Sequence, residues 1–437
     1  MDVRSAVNAT PIVVTTAEAH NFTDGAEVKI IGVEGNTAAN GSFYVKSSGL
    51  GVNVFALYQD QALTRPVAGS GEYTEGGEVR KPFTEDYAII VGINRYPAFT
   101  PLHGPEADAQ RFRDWLVSPL GGNVALSNVS MIVSPDPQAL TAADAQPTLD
   151  TVKRAFRTHW ERVLAAKKTN RIGRRFYIFL SGHGITPSKA AMANLDDAAL
   201  LMADSSIGIL DGHVLGGAWA DRFRNAAAFD EIVLLMDCCR DLKDNVSPTG
   251  APFLPEIVSD QRDSVKYFYA RAAELDSKAW DQQLGNPPDY HGVFSFALMN
   301  ALQDESVCDS QGRLTSAVLA EYLRSEVRKL RPDQQPVIPA VPKDANIVFI
   351  EKRRSFAPNV SVTFTLGPQL AAGSTVELFE ATNPDAPCAS QVVNGARWDI
   401  ALSKRSFYKL RVVGGSVEKL FDSKPDVPNG VKNVNFP

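Results

Sequence analysis

Two short stretches combine residue types that could do covalent chemistry. One is Ser181-Gly182-His183-Gly184 and the other is Asp237-Cys238-Cys239-Arg240. A thiol becomes a useful nucleophile only beside a base or a positive field, and an imidazole supplies one. The glycines flanking His183 free the backbone to bend sharply and let a peptide N–H approach a ligand. Such a cysteine–histidine pair predicts acyl transfer at a carbonyl, most simply peptide-bond hydrolysis. The plain alternatives are a buried cysteine acting as a small hydrophobe and a histidine held structurally by hydrogen bonds. A zinc site built from Cys238, Cys239, His183 and His213 would need ligand pairs at a short regular spacing, which the sequence lacks.

Each stretch follows a continuous apolar run of strand length, residues 176–180 and 232–236. In open α/β sheets, sites form beyond the carboxyl ends of strands, so a histidine and a cysteine leaving neighbouring strands would face each other. Residues 86–93, 129–133 and 265–269 are further strand candidates. Between and after them apolar residues recur at helical spacing: Ala109, Phe112 and Leu116; Leu149, Val152, Phe156, Trp160 and Val163; Phe294, Ala297, Leu298 and Ala301; Leu319, Leu323, Val327 and Leu330. The alternation predicts an α/β domain over residues 83–352, with a mostly parallel sheet covered by helices on both faces.

Residues 1–82 contain no helix-period stretch; strand-like runs at 11–16, 27–33, 43–46 and 54–58 alternate with turn residues, as in a small all-β domain. Pro332, Pro336, Pro339 and Pro342 end the last helical pattern. Runs at 362–366, 375–379, 398–402 and 408–413 then predict a second small all-β domain, a sandwich, over 353–437. The 437 residues carry a net charge of −6, which argues against a nucleic-acid partner, since that needs a Lys/Arg surplus to displace counterions. No apolar run approaches the ~18 residues of a membrane span. The start, Met1-Asp2-Val3-Arg4-Ser5, lacks the basic and apolar regions of a secretory signal. Cys238, Cys239, Cys308 and Cys388 form neither a disulfide framework nor a metal knuckle. A reducing cytoplasm is the expected setting.

The ordered set of motifs over residues 86–351 resembles the caspase/metacaspase superfamily of cysteine proteases. Tyr87-Ala88-Ile89-Ile90-Val91-Gly92-Ile93-Asn94 is similar to the family's first strand, and Leu102-His103-Gly104-Pro105-Glu106-Ala107-Asp108-Ala109 to the start of its first helix. Ser181-Gly182-His183-Gly184 matches the histidine motif, and Asp237-Cys238-Cys239-Arg240 stands where metacaspases have Asp-x-Cys-His. The histidine-to-cysteine separation, 239 − 183 = 56, is close to the ~50 of the caspase signature. Arg240 fits that signature's fourth position, whereas Asp237 and Asp241 depart from its first and fifth. Gly292-Val293-Phe294-Ser295 and Gly312-Arg313-Leu314-Thr315 resemble the small-subunit helices. In residues 1–82, His20-Asn21-Phe22-Thr23-Asp24-Gly25 and the stretch from Gly35 to Gly41 resemble a β module recurrent in phage tail proteins, which implies a docking role.

The resemblance implies a cysteine endopeptidase that needs no cofactor and acts on protein or peptide substrates. Cys239 would be the nucleophile, His183 the base, and the N–H groups of Gly184 and Cys239 the oxyanion donors. Asp108, Ser181 and Asp237 fall on the metacaspase pocket positions and imply a preference for Lys or Arg before the cut. The bland readings are that Asp108 favours a helix N-terminus and Asp237 caps a strand. Asp196, Asp197 and Asp204 stand where some metacaspases bind calcium, but Asn194-Leu195-Asp196-Asp197 is no calcium loop. A solvated acidic loop is expected there, with no metal. The segment 240–264 shows no strong period. Because the family often separates its subunits there, the resemblance implies a zymogen cut at Lys243, Arg262 or, just beyond, Lys266, by itself or by an upstream activating protease in a bacterial defence or regulatory cascade. The alternative is a permanently ordered surface loop in a single-chain enzyme. His20, His103, His159 and His291 show no partner pattern and read as structural. The competing function is a catalytically silent caspase-fold scaffold with β docking modules.

Overall fold

The computed structural model describes residues 1–135, 139–166, 170–188, 197–210, 212–285, 288–304, 307–309, 311–340, 345–351, 358–367, 370–380, 387–403, 407–415, 417–423 and 431–436. The chain divides into two compact units, Met1–Tyr87 with Arg113–Val129, and Ala88–Phe112 with Ser130–Pro437.

In the first unit, turn residues cut the chain into strands β1 (Val3–Val7), β2 (Val13–Thr16), β3 (Glu27–Val33), β4 (Gly41–Lys46), β5 (Val54–Tyr58) and β6 (Gly76–Arg80). Their sheet order is β1-β2-β5-β4-β3-β6. The two ends of that order meet: Asp2 bridges Glu78, the Val79 N–H donates to Met1 O at 2.7 Å, and the Met1 ammonium donates to Val79 O at 3.0 Å. The sheet therefore closes into a barrel and hides its own edges. Val14, Val28, Ile30, Val45, Phe55 and Leu57 form its core. Neither β1 nor β6 was anticipated, because neither has a strong apolar run; closure stabilises them instead.

Lys29, between the core residues Val28 and Ile30, is 0% exposed. Its ammonium donates to Val117 O and, at 2.7 Å, to Val124 O. Val117 ends helix α1 (Pro105–Val117), where carbonyls lack partners within the helix and the dipole favours a cation. Burial pushes the Lys29 pKa down to about 8.

The predicted α/β alternation is carried mostly by the second unit, although Asp86–Tyr87, Arg113–Val117 and Val129 of its elements belong to the first. Strands β7 (Asp86–Gly92), β8 (Val129–Val133), β9 (Gly173–Ser181), β10 (Gly184–Pro187), β11 (Ala199–Leu201), β12 (His213–Leu215), β13 (Phe229–Asp237), β14 (Asp241–Lys243), β15 (Lys266–Arg271), β16 (Asp281–Leu284) and β17 (Asp289–Gly292) alternate with α1, α2 (Leu149–Ala165), α3 (Gly216–Asn225), α4 (Val293–Gln303) and α5 (Ser316–Leu330). The main sheet runs β15-β13-β9-β7-β8, with β13 parallel to both β9 and β15. A smaller sheet runs β12-β11-β10-β14, with β10 parallel to β14. The apolar runs 176–180 and 232–236 are buried throughout, as continuous runs in parallel strands should be.

Helix α3 was not foreseen, because it opens on Gly216-Gly217 with no local cap. The carboxylate of Asp197 supplies one from 20 residues upstream, accepting from the N–H groups of Gly217 and Ala218 at 2.9 Å each. The expectation of a solvated acidic loop is thereby corrected. Asp197 is 2% exposed and lies 3.5 Å from Arg271, its charge held by a helix N-terminus and a guanidinium. Asp204 is half-buried, and Asp196 lies outside the described residues. No His/Cys/Asp/Glu group among the described residues is suited to a metal.

Segment 240–264 packs on α2 and α3 around Phe253. Phe253 packs on Trp219 and Phe156 with ring centroids 5.2 and 6.1 Å apart. The Trp160 indole N–H donates to Leu254 O at 3.3 Å. Lys243 lies in β14 and Lys266 begins β15, whereas Arg262 is exposed in a 3-10 turn. Beyond α5, Arg397–Ser403, Pro358–Leu366 and Lys432–Phe436 form one sheet, and Ala389–Val392, Thr375–Glu380, Phe407–Val412 and Glu418–Asp422 another. Both contribute to one apolar cluster that includes Val362, Phe364, Leu378, Trp398 and Leu410. Pro342 and the expected boundary at 352/353 lie outside the described residues.

Lys29 yields a pH test. A lysine with a folded pKa below its unfolded value binds fewer protons when folded, so its contribution to stability rises with pH between the two. Lys29→Met should cost about 1–3 kcal/mol by orphaning two carbonyls. The deficit should widen from pH 8 towards 10.5. Urea unfolding of both proteins across that range checks it, and a gap that narrows would contradict the assignment.

Candidate active site

The register of two parallel ladders sets the site. Ser181 pairs with Asp237 between β9 and β13, and Ile185 pairs with Asp241 between β10 and β14. Both pairs have the same offset, 237 − 181 = 56 and 241 − 185 = 56. His183 and Cys239 share that offset (239 − 183 = 56), so they occupy the same register position between the two ladders. The backbones come close there: a Cβ on Gly184 would lie 2.4 Å from Cys239 O and 2.8 Å from Cys238 Sγ. Only glycine fits at 184. The Gly182 N–H meanwhile donates to Asp237 O at 3.2 Å.

The His183 ring is oriented from one loop. Its Nε2 lies 2.8 Å from Thr100 O. A carbonyl only accepts, so Nε2 carries the hydrogen and Nδ1 of the neutral ring is left as the acceptor. Tyr96 and Phe99 pack on the ring with centroids 4.7 and 5.7 Å away. Burial holds the His183 pKa below the usual histidine value, against the opposing pull of the Thr100 hydrogen bond, Asp241 and Asp281.

Cys239 is half-buried, with Sγ 3.5 Å from Ala279 O. Burial, with Asp241 and Asp237 adding to it, pushes this thiol up to about 11. Cys238 is 2% exposed and burial pushes its thiol further still. No hydrogen bond joins imidazole and thiol among the described residues. At rest near neutral pH the two are an uncharged pair.

The acidic residues converge beside them on one turn. Asp108, 0% exposed in the first turn of α1, accepts the Gly292 N–H at 2.8 Å and lies 2.7 Å from His291 Nδ1 and 3.1 Å from Arg111 Nη1. Asp237, 4% exposed, accepts the Ser295 N–H at 2.9 Å in the first turn of α4. A Cβ on Gly292 would lie 2.0 Å from Asp237 Oδ2. Burial, then the neighbouring Asp108 and Asp281, push Asp237 up to about 7, against its hydrogen bonds to Ser295. Burial likewise raises Asp108, against the pull of His291, Gly292 and Arg111. Ser181 is buried in β9, and its carbonyl accepts the Ile93 N–H at 3.0 Å.

Sequence reasoning missed several members of this neighbourhood. His291, expected to have no specific partner, bonds Asp108. Arg111 also reaches Asp289 at 2.5 Å. Asp281 accepts the His103 N–H at 2.6 Å and the Gly104 N–H at 3.3 Å through Oδ2, while its buried Oδ1 has no partner among the described residues. Each is a lone polar residue, and only chain crossings more than 170 residues apart in sequence bring them in; the one advance signal was their closeness to Gly292 and to the first helix. His213, weighed as a zinc ligand, has Nδ1 at 2.7 Å from Leu210 O and Nε2 accepting the Thr249 N–H at 3.1 Å. Both ring nitrogens are committed to the backbone.

No family model matches the chain. Over 162 residues it is 31% identical to a protein of a Desulfuromonadales bacterium named "Probable protease". That match takes in 36% of this chain and 18% of the other, so the chain spans less than a fifth of its relative's length in the matched region. Among solved structures, caspase-1 from Spodoptera frugiperda overlaps 62% of this chain and 92% of its own at 11% identity and a TM-score of 0.35. Pro-sf-caspase-1 overlaps 59% and 92%, at 11% identity and a TM-score of 0.32. The chain is a mixed α/β protein with sequence similarity to a protease.

Proposed function

We propose that the protein is a caspase-like cysteine endopeptidase in which Cys239 attacks a peptide carbonyl and His183 moves the proton. The observation carrying this reading is the shared 56-residue offset, which sets both residues at one register position beyond two parallel strand ends. With the thiol at about 11 and the imidazole depressed, no thiolate–imidazolium pair stands ready. Nδ1 takes the thiol proton as the carbon–sulfur bond forms, then delivers it to the leaving amine. Water, deprotonated by the same nitrogen, attacks the thioester carbonyl. As the carbon–sulfur bond breaks, that proton passes to the departing Cys239 sulfur, which restores the neutral thiol and imidazole. The Gly184 and Cys239 N–H groups would hold the oxyanion.

Cys239→Ala and His183→Ala should each abolish peptide hydrolysis by the full chain, while Cys238→Ser should retain substantial activity. Equal loss from both cysteine variants would refute the assignment of the nucleophile. Intact activity in His183→Ala would favour a different chemistry, and no reaction with an electrophilic peptide would favour the scaffold.

The pocket reading is that a Lys or Arg side chain before the cut is held by buried carboxylates, with Ser181 beside them. Asp108 is already engaged by Arg111 and His291, whereas no Lys or Arg pairs with Asp237 or Asp281 among the described residues. A cation binding Asp237 must meet it ionised, so affinity should rise with pH through about 7. Calorimetry on the Cys239→Ala protein should find an arginine peptide bound more tightly at pH 8 than at pH 6. Asp237→Asn should cost about 2–5 kcal/mol of that affinity, at least thirtyfold, and flatten the pH dependence. Equal binding of arginine and leucine peptides would end the idea.

Activation by cleavage within 240–264 completes the proposal, and Arg262 is its one exposed basic candidate. Mass spectrometry of the active protein should find a cut after Arg262 that is missing from Cys239→Ala. An uncut Arg262→Ala chain with full activity would show that this segment is no switch.

A further inference from the structure

A closed circuit of hydrogen bonds surrounds the His183 peptide. Its N–H donates to Tyr96 Oη at 3.1 Å, that hydroxyl donates to Leu201 O at 3.1 Å, and the Leu201 N–H returns to His183 O at 2.9 Å. The Tyr96 side chain is 1% exposed, and its ring edge meets the imidazole at 64°. The hydroxyl reaches the histidine only because residue 182 is glycine: a Cβ there would lie 2.4 Å from Tyr96 Oη. Gly182 also has φ +153°, a conformation that side-chain-bearing residues rarely adopt. Four residues further along the same loop, Thr100 O takes Nε2. One short segment thus holds both the backbone and the ring of His183.

We infer that Tyr96 is a positioning residue for His183: its hydroxyl holds the histidine peptide so that the ring keeps Nε2 on Thr100 and presents Nδ1 towards the thiol. This rests on the reading of His183 as the base. Without the hydroxyl, the His183 N–H and Leu201 O lose their shared partner, while the ring packing remains. The loss should fall on proton transfer rather than on substrate binding.

The test uses the full chain and a fluorogenic arginine peptide, with active sites counted by an electrophilic peptide ketone. Tyr96→Phe should lower kcat per titrated site about tenfold and leave KM within twofold. The acidic limb of its kcat/KM profile should move up towards the ordinary histidine value as water reaches the loosened ring. A purely structural role would instead lower the number of titratable sites and the Tm, with kcat per site and the pH profile unchanged, and that result would overturn the inference. 3-Fluorotyrosine at position 96 keeps the packing while weakening the acceptor, so it serves if Tyr96→Phe folds poorly; a two- to threefold fall in kcat is expected, and none would count against the inference. Activity retained by His183→Ala would instead overturn the site reading itself. Loss in His183→Ala with no change in either Tyr96 variant would overturn only the role of Tyr96.

Discussion

Two buried carboxylates close on one turn, and the surrounding architecture follows from that. Asp108, in the first turn of α1, takes the Gly292 N–H, and Asp237, the last residue of β13, takes the Ser295 N–H. Both donors lie at the start of α4, whose first N–H groups have no partners within the helix. Gly292 is obligatory, since any side chain would strike Asp237. The turn ties the first helix, a central strand and α4 together beside the strand ends where His183 and Cys239 emerge.

Such a centre is expensive unless something compensates it. Burial of a carboxylate disfavours its charge, and a second carboxylate nearby adds to the cost. Asp108 is offset by Arg111, His291 and a helix terminus; no Lys, Arg or His meets Asp237 among the described residues, and burial raises its pKa. An unbalanced acid beside the strand ends is the sort of imbalance that functional sites carry. The same low-polarity surroundings keep the thiol and imidazole uncharged, so any chemistry there must move a proton in step with bond formation.

The barrel of the first unit shows a related economy. The ends of its sheet meet through the Asp2–Glu78 bridge and the Met1 and Val79 hydrogen bonds, which shortens the strand edge open to another chain. Its one fully buried lysine, Lys29, is spent on the carbonyls of Val117 and Val124 in the same unit.

Much of this was legible in the residues alone. Continuous apolar runs ending in reactive motifs showed which strands are buried and where chemistry could gather, since period and composition act locally. The equal spacing of the His and Cys motifs was visible as well, although only parallel pairing gives that number a spatial meaning. Asp197, His291 and Asp281 were illegible for the opposite reason. Their partners lie 20 to more than 170 residues away, and nothing local distinguishes a buried carboxylate from a solvated one. Helix α3 went unseen because its cap comes from Asp197, and barrel closure because β1 and β6 stabilise each other. Local chemistry selects elements; which polar groups are buried together depends on long-range crossings that only the folded chain defines.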